Sequence, residues 1–307
     1  MTYKDLLTLK DLTKEEILEI VSLAEEVKKN PKKFEDSLRR MTLLMLFAKP
    51  SLRTHLSFDI GMYQLGGHAI FYDLHDSTLG AKESIKDFAK VLSRYTNIIM
   101  ARLYSHKELV ELAKYSDVPV INGLTDDYHP CQILGDLLTI KEHLGSLKRK
   151  KVVYVGDGNN NVTHDLIIAC DKLGIDITVS SPKKKEFFPN KDLLGGAHFV
   201  FEEHPLRAVK DADIIYTDTW MSYHISESKK KMRMTQLNSY QVNHKMMSVS
   251  KKAKFMHCLP AHRGDEVTSE VLDSSRSIIY DQAENRTYAE KAVLLKHRSL
   301  PQKEMIF

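Results

Sequence analysis

Hydrophobic positions along this chain fall into two recurring patterns, amphipathic stretches of helical period and short continuous apolar runs. Ile17, Ile20, Val21, Ala24 and Val27 recur at helical spacing and give one apolar face. Thr13-Lys14-Glu15-Glu16 precedes that face as a capping box, with Thr13 as N-cap and Glu16 reaching back, and Asn30-Pro31 ends the helix. The run at residues 41–47 reads as a buried strand, and residues 51–63 as a helix closed by Gly66-Gly67. The alternation continues with strand 69–72, helix 84–95, strand 97–101, helix 107–114 and strand 118–122. A long helix is expected over 130–144, and the polar, basic stretch 145–151 leads into a second series. That series has strand 151–155, helix 164–173, strands 176–180, 212–217, 255–258 and 276–280, and a last helix over 285–297. Strand and helix alternating in this way predict parallel α/β sheets, with a domain boundary near the long helix.

Composition narrows the class. A chain of 307 residues suggests two domains at ~150 residues each. Its 42% hydrophobic and 28% charged residues exclude a disordered or fibrous protein. A formal charge of +4 is too mild to argue for nucleic acid, yet it leaves room for a small anionic substrate. Cys131, Cys170 and Cys258 form no CxxC pair, so neither a disulfide framework nor a zinc ribbon is expected. No basic start followed by an apolar run opens the chain, and no apolar stretch approaches ~18 residues. Signal peptide and membrane span are therefore not expected, and cytoplasm is the expected address. The lysine runs 183–185 and 229–231 read as solvated surface.

Candidate chemistry gathers where strands end. Pro50-Ser51-Leu52-Arg53-Thr54-His55 lies between a strand and a helix, where free N–H groups and the helix dipole favour an anion. Arg53 adds a planar fork suited to phosphate; the alternative is an ordinary Ser cap beside an exposed Arg. His129-Pro130-Cys131-Gln132 puts His129 and Gln132 at one helix start, where a neutral His can donate to a carbonyl or phosphate, or merely cap the loop. Val155-Gly156-Asp157-Gly158-Asn159-Asn160-Asn161 resembles half a dinucleotide fingerprint. Asn161 stands where a third glycine belongs, and no acid follows the next strand, which disfavours a nucleotide. Asp218, at the end of the strand leading to Trp220, could hold an ammonium or cap a turn. His257-Cys258-Leu259-Pro260-Ala261-His262-Arg263-Gly264 invites a zinc site, but a second ligand pair is missing and Pro260 breaks helical spacing. Arg286 is placed by this reading at a helix N-terminus, where the dipole disfavours a cation, hinting at an anion partner.

Taken together, the Ser-x-Arg-Thr loop, the motifs GMYQLGGHA, SRY and MAR, then HPCQ, GDGNN, DTW and HCLPAHRG resemble the aspartate/ornithine carbamoyltransferase family over nearly the whole chain. HCLP resembles its ornithine branch. The resemblance implies two similar α/β domains. The first, 1–140, would bind carbamoyl phosphate, with a C-terminal helix, 286–307, packing back on it. The second, 141–285, would bind ornithine. It implies carbamoyl transfer to the side-chain amine of L-ornithine, giving L-citrulline and phosphate, in a homotrimer or multiple of trimers with shared active sites. No metal, organic cofactor, nucleic acid or membrane is implied. Residue by residue, Ser51, Leu52, Arg53 and Thr54 would hold phosphate, Arg102 would bridge phosphate and carbamoyl oxygen, and Arg286 would complete the cationic pocket. His129 would donate to the carbamoyl oxygen and Gln132 hold the carbamoyl amide, whose NH₂ would donate to the carbonyls of Cys258 and Leu259. Asn160, Asp218 and Ser222 would hold the α-amino and α-carboxylate groups, with Tyr223 beside them and Cys258 near the attacking amine.

Three departures stand out. Leu52 replaces the usual Thr, which removes one hydroxyl and keeps the backbone N–H groups. Thr78 and Lys82 stand where the ornithine branch more often has Gln and Gly; Lys82 is either a contact to phosphate in the neighbouring subunit's site or a surface lysine. Tyr223-His224 replace Met-Gly after Ser222, which removes backbone freedom from a closing loop and brings polar groups beside the amino acid. Another amine acceptor, such as putrescine, lysine or a modified ornithine, therefore stays open, as does a non-catalytic binding paralogue. Retention of Arg53, Thr54, Arg102, His129, Gln132 and Arg286 argues against the paralogue.

Overall fold

The computed structural model describes residues 5–74, 79, 83–221 and 226–298. Lys82, Ser222 and Tyr223, with Thr78 and His224, lie outside the described residues. The chain forms two compact units, 1–138 with 285–307, and 139–284.

In the first unit α1 (Lys14–Lys29), β1 (Thr42–Phe47), α2 (Leu52–Gln64), β2 (His68–Asp73), α3 (Ile85–Tyr95), β3 (Ile98–Arg102), α4 (His106–Tyr115), β4 (Val120–Leu124) and the first part of α5 (Pro130–Leu144), as far as Leu138, follow in order. The capping box forms: the Glu16 N–H donates to Thr13 Oγ1 at 3.2 Å and the Thr13 N–H to Glu16 Oε2 at 2.9 Å. The strands are parallel in the order β2-β1-β3-β4. β1 and β3 are apolar and almost wholly buried, as parallel strands covered on both faces must be. Their core joins Leu44, Leu46, Ile99 and Ala101 to Ala89 and Leu112 of the flanking helices.

The second unit adds β5 (Lys151–Val155), α6 (Asn161–Leu173), β6 (Asp176–Ser180), β7 (Phe199–Phe201), α7 (Pro205–Ala208), β8 (Ile214–Thr217), α8 (Lys230–Leu237), α9 (His244–Val249), β9 (Lys254–His257) and α10 (Ser269–Leu272). Its parallel sheet runs β7-β6-β5-β8-β9. In each sheet the strand order reverses beside the first strand, between β1 and β3 and between β5 and β8. Crevices at the carboxyl ends of strands at such reversals are where open α/β sheets bind ligands.

Three expectations fail here. Residues 276–280 are not a strand: Ser277 makes one isolated bridge to Phe255, and Ile279 already begins the last helix, α11 (Ile279–His297). A short apolar run reads alike as a strand or as the buried start of a helix. Arg286 consequently lies about two turns inside α11 and not at its N-terminus. From residue 285 onward α11 belongs to the first unit. Helix α6 also starts earlier than expected, with Asn160 as its N-cap. Among the described residues no helix is long and apolar enough to cross a membrane.

Candidate active site

The first unit gathers cations where β1 and β3 end. Phe47 pairs with Arg102 in the ladder, and the Ala48 N–H donates to the Arg102 carbonyl at 2.9 Å. Beyond Ala48 the chain turns into α2, whose N-cap Ser51 accepts from the Thr54 N–H at 3.3 Å. Leu52 and Arg53 are exposed on that first turn, whereas Thr54 is buried. Arg286, arriving on α11, donates from Nη2 to Thr54 Oγ1 at 3.1 Å and to Glu290 Oε1 at 2.7 Å. Gly135 lets α5 approach closely there: a Cβ at Gly135 would lie 3.2 Å from the Arg286 backbone N and Cα. Arg102 is buried and donates from Nε to the Lys49 carbonyl at 3.3 Å. His129 precedes α5 and is buried; burial, then the charges of Arg286, Arg102 and Lys49, hold its pKa well below the usual histidine range. Gln132, one turn along α5, donates to Asp136 Oδ1 at 2.9 Å. The result is a neutral imidazole among guanidinium groups, suited to an anion that carries a carbonyl.

The second unit has its own set where β5, β8 and β9 end. Asn160 is buried, and its amide is spent locally. It donates to Tyr154 Oη at 2.7 Å and the Asp157 carbonyl at 2.8 Å, and accepts from the Thr163 N–H at 2.8 Å and Thr163 Oγ1 at 3.1 Å. Asp218, next after β8, accepts from the Thr219 N–H at 2.7 Å and from Cys258 Sγ at 2.9 Å. Cys258 is therefore the protonated thiol in this arrangement. Behind it His257 is buried, and the Leu259 N–H donates to its Nδ1 at 2.9 Å. The proton is thus assigned to Nε2, which faces Glu266 Oε1 at 3.1 Å. Leu259 sits at φ +59, a left-handed conformation uncommon for a leucine, and this bond fixes it. Asp218, His257 and Cys258 do bring three possible metal ligands within 4.8 Å of one another. Both nitrogens of His257 are already engaged, so the trio presents chiefly a carboxylate and a thiol.

Residues 4–142 match the carbamoyl-P binding domain of the aspartate/ornithine carbamoyltransferases, and residues 148–296 match their Asp/Orn binding domain. The chain belongs to that family. It is 47% identical to the ornithine carbamoyltransferase of Caldicellulosiruptor saccharolyticus, over 94% of this chain and 96% of the relative. It is 48% identical to that of Bacillus subtilis, over 95% and 92%. The solved ornithine carbamoyltransferase of Pyrococcus furiosus superposes with a TM-score of 0.91 at 46% identity, covering 97% of this chain and 98% of the other.

Three members of the constellation escape sequence reasoning. Lys49 is buried, ion-paired with Asp126 and placed 4.4 Å from the Tyr104 ring centroid. Its signal was a lysine at the end of a buried strand, directly before the anion loop. Glu290 is buried under Arg286, four residues along α11, and burial pushes its pKa up. Gln282 accepts from the His257 N–H at 2.9 Å and donates to Tyr216 Oη at 3.0 Å, a tie no local motif reveals.

Proposed function

We propose that this member of the carbamoyltransferase family moves the carbamoyl group of carbamoyl phosphate to the side-chain amine of L-ornithine, giving L-citrulline and phosphate. The observation that carries the reading is His129, held neutral among Arg102, Arg286 and Lys49 in the unit that matches the carbamoyl-P domain. Domain 1–140, with 286–307, takes carbamoyl phosphate in this reading, and domain 141–285 takes ornithine.

Each residue's part is the one the family resemblance implies, and its chemistry suits that part. The first turn of α2 offers backbone N–H groups with Ser51, Leu52, Arg53 and Thr54, and Arg53, Arg102 and Arg286 balance the dianionic phosphate. His129 donates one N–H to the carbamoyl oxygen without adding charge, and Gln132 holds the amide. Attack creates an oxyanion, which Thr54, Arg102 and His129 meet with donors already in place. The carbonyls of Cys258 and Leu259 accept from the carbamoyl NH₂. Asp218 and Ser222 hold the α-amino group and α-carboxylate, with Tyr223 alongside. Asn160 joins them by exchanging one of its loop bonds for the ligand. The amine must attack as a free base although its pKa in water is ~10.4, and a cationic pocket disfavours the ammonium.

The working assembly is a homotrimer or a multiple of it, with Lys82 reaching a neighbour's phosphate, in the cytoplasm. In support, α2 exposes Leu52, Leu56, Ile60 and Tyr63 along one stripe, and the edge strand β2 exposes Ile70, Phe71 and Tyr72. A face of that kind on a sheet edge calls for a cover, and a second copy supplies it.

The test is phosphate release from carbamoyl phosphate with ornithine, lysine, N-acetylornithine, putrescine and aspartate, the ureido product being identified by mass. Turnover on ornithine alone is expected. Turnover on another amine instead overturns the acceptor and makes Tyr223-His224 its selector.

A further inference from the structure

We infer that Arg233 is a positioning residue for the amino-acid site, one guanidinium tying the loop that carries Asn160 to the loop that carries Asp218. The inference rests on the function proposed above. Arg233 lies on α8 in a run of cations, Lys229-Lys230-Lys231-Met232-Arg233, whose lysines are exposed while Arg233 is only 6% exposed. With Leu237, one turn on, it forms the buried side of that helix. Its Nε donates to the Trp220 carbonyl at 3.1 Å, its Nη2 pairs with the Asp157 carboxylate, and its Cζ lies 4.7 Å from the Phe187 ring centroid.

Both partners adjoin the candidate site. Asp157 accepts from the Asn159 N–H at 3.0 Å and, through its carbonyl, from Asn160 Nδ2 at 2.8 Å. Trp220 is two residues beyond Asp218 and packs on Gly156, where a Cβ would come 3.0 Å from Trp220 Nε1. The ladder between β5 and β8 stops at Tyr154 and Tyr216, and the bond from Thr217 Oγ1 to the Val155 carbonyl, 2.7 Å, extends it one step. Past that point Arg233 adds a polar bridge beside the Trp220–Gly156 contact. A lysine cannot replace this group, because a single ammonium lacks the fork that serves a carboxylate and a carbonyl at once. Burial supports the dependence: it lifts Asp157 to about 6 even beside Arg233, so the carboxylate needs that cation to stay ionised.

The test compares Arg233→Met, Arg233→Lys, Asp157→Asn and the Arg233→Met/Asp157→Asn double variant in the full chain. Far-UV circular dichroism and a cooperative melt confirm folding. The expected result is an ornithine KM raised about tenfold or more in both Arg233 variants, with the carbamoyl phosphate KM within about twofold of the parent. The double variant should be no worse than Arg233→Met, since both act through one contact. Trp220, the chain's one tryptophan, supplies a readout independent of turnover: its emission should move to the red and its quenching by acrylamide rise. A parent-like ornithine KM in folded Arg233→Met, or in Arg233→Lys should the Met variant not fold, overturns the inference. So does an equal rise in both substrates' KM. Failure of the parent to use ornithine counts against the proposed function alone. Trp220 emission then decides whether Arg233 holds the loop, and unchanged emission in the variants rejects it.

Discussion

His129 shows how much one side chain's work depends on neighbours far away in sequence. Its imidazole stays neutral because burial and three cations disfavour protonation, and those cations come from β3, the loop after β1, and α11. Arg102 does two things there in the proposed function, polarising the carbamoyl oxygen and balancing phosphate. Arg102→Ala should therefore lower carbamoyl transfer about a hundredfold to a thousandfold, as loss of a donor to a developing oxyanion does. Single-turnover rates and a carbamoyl phosphate binding isotherm check it, and a variant as fast as the parent would remove Arg102 from the mechanism. Arg102, His129 and Gln132 stand out as candidates in MAR and HPCQ because each motif lies beside a strand end or helix start, whereas Arg286 stands out through an expected helix start that the structure moves upstream to Ile279. Lys49 and Glu290 do not stand out. A lysine and a glutamate gain meaning only when distant segments bury them, as Asp126 and Tyr104 do for Lys49.

Elements with a strong local pattern were legible, and those defined by contact were not. The capping box of α1, the bounds of α5, and strands β5 and β6 follow directly from periodicity and caps. The start of α11 does not, because Ile278 and Ile279 are buried by the sheet they pass, and the Ile278 N–H bonds to the Phe255 carbonyl. Moving that start changes what Arg286 means: it is held by α5 packing and Glu290, not by a helix end. Gly135→Ala should accordingly push α11 away at Arg286, cost about 1–3 kcal/mol of stability, and raise the carbamoyl phosphate KM. Urea unfolding with initial rates checks both effects; stability lost with KM unchanged would uncouple Gly135 from the site. The far end of α11 carries a pH dependence. His297 is buried, and burial lowers its pKa from 6.5 to about 4, against the pull of its bond to the Val293 carbonyl. Between those values the unfolded chain binds a proton there that the folded chain refuses, so stability falls as pH falls through the window. The loss reaches about 3 kcal/mol near pH 4, at 1.36 kcal/mol per unit. Melting curves of parent and His297→Gln across the window should diverge in slope, and parallel curves would reject it.

At the scale of the whole molecule the first unit is the part whose surface is unlike that of a self-sufficient domain. The stripe Leu52, Leu56, Ile60 and Tyr63 repeats at helical spacing on the solvent side of α2, exposed by 72%, 44%, 42% and 80%. It continues onto β2, since Phe71 stacks on His55 of α2 at 4.4 Å between ring centroids. A monomer gains nothing from a wide apolar face beside an unpaired strand edge, whose open N–H and C=O groups invite another chain. No sequence pattern announced this, because an amphipathic helix with apolar residues on two sides looks the same whether the second side meets its own core or a neighbour's. If a second copy covers the face, a charge placed there must be desolvated on assembly without a partner, which costs several kcal/mol per contact. Ile60→Glu, away from the anion loop, should therefore shift light-scattering mass from trimer toward monomer while each chain stays folded. In the proposed assembly, where a trans residue such as Lys82 is supplied by a neighbour, turnover should fall with the trimer and return as protein concentration rises. Mass and turnover both unchanged by the glutamate would mean that α2 faces water in the working enzyme and that the neighbour docks elsewhere.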